Sequence, residues 1–485
     1  MNLEIWFWFS AIFMSIFFIV MSFKLKKMAD TSFSHFAIAG GTLPFFLILF
    51  TDIATIMGVG NFIGHSSKGY DVGFANIPFV VGEQGAKIIF ALVFAGFAAR
   101  FTYHSISELM DDLILRDKVS RALIGLLTGS IMISWVGGQG KGMGDLFAVF
   151  TGTDPIPLII MFSAVFILYT MVGGMYSVVW TELIQGALLI AIAIWFYVKV
   201  FAKIDFSIAT LKTKLAEVDA VHLAEWNLSF GEVATLFVTG TFGILAAQVY
   251  WQRCFAANNP KSASRAMLYS GIIAIIFTCI ATVSGMIVKI YNSNLDPNQA
   301  LPWLIMEEMG QFVALAFFIL IFLAAISSAA SSLHSAATIL INDLIIPFNS
   351  NKNDSYYVKF TRWCILIVGV VAVGAALWAE SIISLFSLAY TMAGGGVVPV
   401  LIVGLLWKRK KQDTHQMGLQ NSGVSVWGGR IGLISGSIGS LVFGILWGVA
   451  ISVVLTIIFS LLLPTNREMD LTNIKNTVSA DTENV

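Results

Sequence analysis

Apolar stretches of about 20 residues recur along the whole chain, from Ile5 to Leu463, and this recurrence limits the fold more than any other feature. Each stretch can cross a hydrocarbon core of about 30 Å as an α-helix, and we count about 13 of them. The composition agrees, because 57% of the 485 residues are hydrophobic and only 12% are charged. That is too little polar surface to cover a soluble globule, so the sequence predicts an all-α polytopic membrane protein.

Basic residues cluster after the odd-numbered spans, which predicts the orientation in the membrane. The clusters are Lys24/Lys26/Lys27, Arg100/Arg116/Lys118/Arg121, Arg253/Lys261/Arg265, Lys352/Lys359/Arg362 and Lys408/Arg409/Lys410/Lys411. The positive-inside rule places the N-terminus outside and the C-terminus in the cytoplasm, in what we expect to be a bacterial inner membrane. Lys203, Lys212 and Lys214 argue against this orientation, because they fall in a loop on the predicted external side.

The predicted spans form two blocks of five. The segments are a leading helix in 1–30, a first block in 31–203, an external loop in 204–231, a second block in 232–407, a cytoplasmic loop in 408–430, two further helices in 431–463 and a polar cytoplasmic tail in 464–485. Each block opens with a glycine-interrupted helix, marked by Gly58, Gly60 and Gly64 in the first and by Gly240 and Gly243 in the second. Paired interruptions of this kind are typical of inverted repeats, whose discontinuous helices meet at a transport site.

The first interrupted helix, between Asp52 and Gly64, is too polar and too rich in glycine for a plain lipid-facing span. Glycine weakens helical hydrogen bonding, and a carbonyl that is freed at membrane depth needs a partner such as a bound cation. Close helix packing through Gly60-x-x-x-Gly64 explains the glycines equally well. Both interpretations stay open at this point.

A stripe of small and hydroxyl-bearing residues lies on the ninth span. Ala324, Ser328, Ser331 and Ser335 share one helical face. A serine can return its proton to its own helix and still offer lone pairs outward, which suits a hard monovalent cation. Ordinary packing of small residues is the alternative and, for such a stripe alone, the commoner explanation.

Five short motifs in order resemble the sodium:solute symporter family of sodium-driven sugar, proline, pantothenate and sialic acid carriers. They are FAIAGGTLP at 36–44, NFIG at 61–64, VWTELIQ at 179–185, YWQR at 250–253 with Ala256 and Ala257 after it, and ALP at 300–302. The resemblance implies a leucine-transporter-like core of ten helices in two inverted repeats of five, with one helix before it and two after it.

The resemblance also implies where a sodium ion would bind. Its ligands would be the backbone carbonyls of Ala54, Met57 and Ala324 and the hydroxyls of Ser327 and Ser328. This agrees with the cation interpretation of the broken helix and of the serine stripe.

A second sodium site occurs in some members of the family, on an aspartate and further serines. Here Glu182 stands in place of the aspartate and Ala330 in place of one serine, which puts that site in doubt. Glu182 and Ser331 stay candidates for a second cation or proton site, and Glu182 could instead form a salt bridge.

The charged residues inside predicted spans are Asp52, Glu83, Lys87, Lys141, Asp145 and Glu182. Intramembrane charges are costly and point to function. Glu83 with Lys87 and Lys141 with Asp145 are each four residues apart, so each pair can neutralise itself on one helix face. We favour that interpretation for Lys141 and Asp145.

The resemblance places several polar residues around a pocket near the middle of the membrane. Glu83 and Asn61 match sugar contacts of the sodium-driven sugar carriers, and His65, Gln248 and Tyr250 lie near them in the family frame. Asp52 is a further candidate for contact with the solute. No pattern identifies that solute, and we lean to a small zwitterionic or amine-bearing nutrient.

These observations predict a sodium-coupled secondary active symporter that imports a small polar organic solute by alternating access. Na⁺ is its co-transported ion rather than a catalytic cofactor, and we expect a monomer in the lipid bilayer. The alternatives are a symporter-like membrane sensor without net transport and a proton-coupled carrier. We find no metal motif, nucleophile elbow or phosphate loop, so we do not expect an enzyme. A net charge of zero gives no electrostatic reason for nucleic-acid binding.

Overall fold

The computed structural model describes residues 3–29, 32–349, 352–408 and 421–465. Helices make up almost all regular structure in these ranges, where the strand-like pairing consists of two isolated bridges, Leu43 with Ala257 and Lys408 with Ser422. The all-α prediction is therefore confirmed.

The helices of the N-terminal half continue into the loop that joins the two blocks, where the last of them lies. In chain order they are α1 (Leu3–Ala29), α2 (Phe33–Ile38), α3 (Phe45–Ile56), α4 (His65–Val72), α5 (Ile77–Phe90), α6 (Gly96–Ala98), α7 (Ile106–Met110), α8 (Lys118–Thr151), α9 (Pro155–Phe201) and α10 (Ile208–Glu217). Wider π-helical turns join α3 to α4 at Gly60–Gly64 and α5 to α6 at Ala91–Ala95.

The C-terminal half continues the helical pattern. Its helices are α11 (Phe230–Ala246), α12 (Gln248–Phe255), α13 (Pro260–Tyr291), α14 (Ala300–Glu308), α15 (Gln311–Ile339), α16 (Asp354–Trp378), α17 (Ile382–Leu406), α18 (Val426–Phe443) and α19 (Ile445–Leu462). A π-helical turn at Leu340–Ile345 extends α15.

Eleven helices in the described part of the chain are long and apolar enough to cross a membrane, or twelve if α11 and α12, which meet at a bend of 40°, count as one span. The 12-residue helix α3 is too short to cross alone, because a helix rises only 1.5 Å per residue. The count of about 13 and the inverted repeats stay predictions.

Local sequence signals set the ends of several spans. α9 is divided at Gly174, whose φ of 58° is one that glycine adopts easily, so this helix supplies two spans, Pro155–Met175 and Val178–Ile204. α13 and α16 begin at Pro260 and Asp354, several residues before their apolar parts. The side chains of Asn259 and Asn353 cap these helices, and a cap extends a helix beyond its apolar part.

Burial shows which helices are central. In α15 with its π-helical extension, 78% of the most apolar stretch is buried, against 28% in α1 and in α19. α15 packs against α3, α8 and α9, whereas α18 and α19 pack on each other and against α17. The serine stripe therefore lies in the middle of the bundle, facing the broken helix α3.

The predicted external loop 204–231 contains α10 and a short 3₁₀ turn at Val221–Ala224. This turn packs against Gly73, where a Cβ atom would lie 2.0 Å from the carbonyl oxygen of Leu223. Within the predicted cytoplasmic loop 408–430, residues 409–420 lie outside the described residues, and α18 already begins at Val426 rather than at 431. The predicted tail lies outside them from residue 466 onward.

Candidate functional site

The break in the first interrupted helix lies between Ile56 and Gly60. Met57 and Gly58 leave the helical conformation, and the chain resumes through the π-helical turn at Gly60–Gly64. The Gln139 side chain from α8 accepts a hydrogen bond from the Val59 backbone amide at 2.8 Å, which holds the resumed end. The interruption that the glycines predict is therefore present, and a neighbouring helix supports it.

Hydroxyl groups from the serine stripe meet the carbonyls that end α3. Ser327 Oγ lies 2.8 Å from the Ala54 carbonyl oxygen and 3.0 Å from that of Ala324. Ser328 Oγ lies 2.6 Å from the Thr55 carbonyl oxygen and 3.3 Å from that of Ala54. The structure thus brings together four of the five predicted sodium ligands in a buried cluster of neutral oxygens.

Met57, the fifth predicted ligand, is the first residue beyond α3, at the break itself. Its backbone amide donates to the Ile53 carbonyl at 3.0 Å. Ser327 Oγ also lies 2.9 Å from the Leu323 carbonyl of its own helix, so its proton can turn away from the cluster. Such a cluster offers lone pairs without a net negative charge, which suits a hard monovalent cation.

Gly58 is necessary at the break because two side chains approach its backbone. A Cβ atom there would lie 2.5 Å from Ser328 Oγ and 2.8 Å from Gln139 Oε1. We expect Gly58→Ala to displace Ser328 and to raise the sodium concentration for half-maximal thermal stabilisation about 10-fold or more, the value of one hydrogen bond to a charged group. Melting curves of purified protein over a sodium titration measure it.

Gly129→Ala is the matched control on α8, since nothing lies within 4 Å of a Cβ atom at that position. It should leave the sodium titration unchanged. An unchanged titration in a well-folded Gly58→Ala protein would contradict the assignment of Ser328 as a ligand.

Glu182 and Ser331, the candidates for a second cation or proton site, do come together. Ser331 Oγ donates to the Glu182 carboxylate at 2.6 Å, Thr55 Oγ1 donates to it at 3.0 Å, and Thr51 Oγ1 donates to its other oxygen. The guanidinium of Arg253 lies 3.4 Å from the same carboxylate and is 1% exposed. Glu182 thus forms a buried salt bridge.

Arg253 was counted above among the cytoplasmic basic residues, and that assignment is wrong. Its side chain enters the bundle because Glu182, Asp52 and several hydroxyls offer partners there. An available signal was that an arginine adjoins an apolar span while Glu182 lies inside another span, since a buried carboxylate needs a counter-charge.

Glu83, His65 and Asn61 lie beside the helix break. Glu83 accepts hydrogen bonds from Tyr390 at 2.8 Å and from Gln84 at 2.8 Å, and His65 Nε2 lies 3.0 Å from it. Gln84 also donates to Asn61 Oδ1 at 3.4 Å. Three of the predicted solute contacts therefore share one polar cluster.

A small cavity adjoins this cluster. Its volume of about 20 Å³ has room for about one water molecule. Its lining includes Asn61, Glu83, Trp135, Gln139 and Tyr390. Trp135, Gln139 and Tyr390 were not predicted from the sequence, although a tyrosine beside the glycine run 394–396 of an apolar span was an available signal.

Of the remaining solute candidates, Asp52 and Gln248 lie outside this cluster, whereas the ring of Tyr250 packs against the cavity-lining Trp135 with 5.9 Å between ring centres. Asp52 is bound by Lys87 and by the Ser270 hydroxyl, and the Lys87 ammonium lies 4.9 Å from the centre of the Tyr250 ring. Gln248 belongs neither to the cluster around Glu83 nor to the side chains around Asp52. Its amide binds the backbone of His104 and Ile106, at 2.9 and 3.0 Å.

The two predicted charge pairs have different outcomes. Lys141 and Asp145 pair at 3.4 Å, as predicted. Glu83 and Lys87 do not pair with each other, since Lys87 binds Asp52 on α3 and Glu83 binds His65 and Tyr390. Spacing along one helix allows a pair, but a fully buried charge takes the partner that the neighbouring helices present.

Comparison with known proteins agrees with this architecture. The sodium/sialic acid symporter SiaT of Proteus mirabilis is 25% identical over 433 residues, which cover 84% of this chain and 86% of that protein. The high-affinity choline transporter 1 of Drosophila melanogaster is 25% identical over 404 residues, which cover 80% of this chain and 64% of that protein. A solved structure of a Na⁺-coupled sialic acid symporter in a substrate-bound outward-open state matches with a TM-score of 0.79 at 20% identity, covering 96% of this chain and 99% of the other.

This chain, in which a broken helix faces a serine-rich helix, therefore shares its fold with that solved membrane transporter. The sequence profile of the sodium:solute symporter family matches residues 36–419, and the chain belongs to that family. It is a transporter and not an enzyme, and Na⁺ is its co-transported ion.

Proposed function

We propose that this protein imports a small zwitterionic or amine-bearing solute together with sodium, by alternating access, and that the ion binds at Ala54, Met57, Ala324, Ser327 and Ser328. The observation that carries the proposal is the direct contact of the Ser327 and Ser328 hydroxyls with the carbonyls that end α3. A cation at this junction would bind both helices at once.

Sodium would act by favouring one arrangement of the two helices. A ligand shifts an equilibrium only as far as its affinities for the two states differ. An ion that needs oxygens from both α3 and α15 binds well only while they are together, so its departure on the cytoplasmic side would loosen the junction. One charge crossing 100 mV supplies about 2.3 kcal/mol, enough for roughly 50-fold accumulation of solute.

The cluster around Glu83 supports the proposed class of solute. Glu83 is a buried carboxylate whose partners are a tyrosine, a glutamine and a histidine rather than a lysine or an arginine. A solute ammonium group could therefore supply the counter-charge, while Asn61 and Gln139 offer hydrogen bonds to its polar groups. The cavity of about 20 Å³ is too small for such a solute, so binding requires the pocket to open.

The basic clusters support an N-terminus outside and a C-terminus in the cytoplasm, in a bacterial inner membrane. We propose a monomer as the working unit, since the junction of α3 with α15 and the polar cluster are both built within one chain. Chemical labelling of single cysteines at the two ends of α1 tests the orientation.

Uptake into proteoliposomes tests the function. A thermal-shift screen with and without sodium first selects a solute. Its panel includes sialic acid, choline and pantothenate, because similar transporters carry these solutes in their names. We expect accumulation only under an inward sodium gradient. Equal uptake in potassium, or under a proton gradient alone, contradicts sodium coupling, and sodium-dependent binding without uptake favours a sensor.

A further inference from the structure

Five oxygen atoms surround a single nitrogen of Arg253. Its Nη2 lies 2.9 Å from Ser331 Oγ, 3.2 Å from both the carbonyl and the hydroxyl oxygen of Thr51, and 3.4 Å from a Glu182 oxygen, and it donates to the hydroxyl of Thr55. These oxygens come from α3, α9 and α15. All of these residues are at most 3% exposed, so the group is closed to solvent.

This oxygen shell is larger than Nη2 can use. A guanidinium has five N–H donors, and Nη2 carries two of them. Nη2 can therefore donate to only some of the five oxygens at once. A compact monovalent cation has no such limit, because it attracts every oxygen around it. One carboxylate, one carbonyl and three hydroxyl oxygens are ligands that suit a sodium ion. In this structure a guanidinium nitrogen occupies the centre of that set.

The charged side chains around this oxygen shell disfavour the binding of a second cation there. Lys87 binds Asp52, Arg253 Nε lies 4.0 Å from Asp52, and Arg253 also binds Glu182. Within this group of four side chains, two positive and two negative charges therefore balance. A sodium ion in this shell would lie at hydrogen-bond distance from the positive charge of the guanidinium, and that repulsion is strongly unfavourable in a region of low dielectric constant.

We infer that the guanidinium of Arg253 is a tethered cation that occupies a second ion site, made by Thr51, Thr55, Glu182 and Ser331, and thereby limits this symporter to one bound sodium ion. The inference rests on the proposed sodium site at Ser327 and Ser328 and adds the number of ions. It also gives the buried carboxylate of Glu182 a counter-ion that is part of the chain.

Equilibrium binding of ²²Na⁺ to the purified protein tests the inference without knowledge of the solute. We expect one ion per wild-type chain and two ions per Arg253→Gln chain, because the vacated shell keeps its carboxylate. Arg253→Lys should stay at one ion because it restores the positive charge. The double variant Arg253→Gln/Glu182→Gln should also return to one, because the shell is then neutral.

The outcomes separate this inference from the proposed function. Two ions on the wild-type chain, or one ion on a folded Arg253→Gln chain, overturn the tethered cation and leave sodium coupling intact. No ion on the wild-type chain but one on Arg253→Gln supports the tethered cation and overturns the site at Ser327 and Ser328. No ion on either chain overturns both. If Arg253→Gln does not fold, the number of sodium ions bound by the wild-type chain and by Arg253→Lys still tests the inference. Two ions on either of these chains overturn it.

Discussion

Ser328→Ala is expected to raise the sodium concentration for half-maximal thermal stabilisation by about 10- to 150-fold. The substitution removes one hydroxyl ligand, and a hydrogen bond to a charged group contributes about 1.5–3 kcal/mol, at about 1.4 kcal/mol for each factor of ten. Ser328 Oγ lies 2.6 Å from the Thr55 carbonyl, so the change also removes one contact between α15 and the end of α3. A sodium titration of the melting temperature measures the effect and needs no solute.

Ser332→Ala is the matched control for this substitution. Ser332 lies on the same helix and is 0% exposed, but its hydroxyl has no hydrogen-bond partner among the described residues. We expect its sodium titration to match that of the wild type. Equal shifts in the two variants would mean that the loss of any buried serine perturbs α15, and the ligand assignment would then fail.

Breaking the buried pair of Asp52 and Lys87 is expected to have the largest effect on stability. Lys87→Met or Asp52→Asn leaves an uncompensated charge in the bundle, which costs about 3–5 kcal/mol for a buried pair. The double variant Asp52→Asn/Lys87→Met removes both charges and should recover most of the loss. Thermal unfolding of the three variants in one detergent gives the coupling energy between the two residues.

Lys141→Met is the control for this cycle, because its pair with Asp145 is partly exposed, at 14% and 13% of the side chains. We expect a smaller loss there, because solvent reaches this pair and screens the charge that remains. If the two lysine variants lose equal stability, or if the double variant is no better than the single ones, the pairing of Asp52 with Lys87 does not stabilise the protein.

Local patterns predicted the helix break and the serine-rich helix that meets it. The glycines between Gly58 and Gly64 indicated where the helix is interrupted, and the stripe from Ala324 to Ser335 indicated which later helix carries hydroxyls. Both signals are local, because backbone freedom at a glycine and the face of a helix are set by residues close in sequence. The bond from Ser327 to the Ala54 carbonyl, across most of the chain, came from the family resemblance and not from either signal.

The membership of the polar cluster around Glu83 was predicted only in part. Glu83, His65 and Asn61 come together, as predicted. Gln248 instead binds the backbone near His104. Tyr390 joins the cluster from α17, a helix on which no solute contact was predicted. A side chain near a helix break can point to either end of the membrane. The direction depends on how the two half-helices α11 and α12 are oriented, which no local pattern determines.

The recurrence of apolar stretches by itself determined that this chain is a bundle of membrane-spanning helices, because only a helix satisfies its own backbone in lipid. It did not determine which charges pair. Spacing allowed Glu83 to bind Lys87 and counted Arg253 among the solvent-facing basic residues, whereas in the structure Lys87 binds Asp52 and Arg253 binds Glu182. The long side chains of lysine and arginine reach partners on other helices, so only the packing of those helices decided their positions.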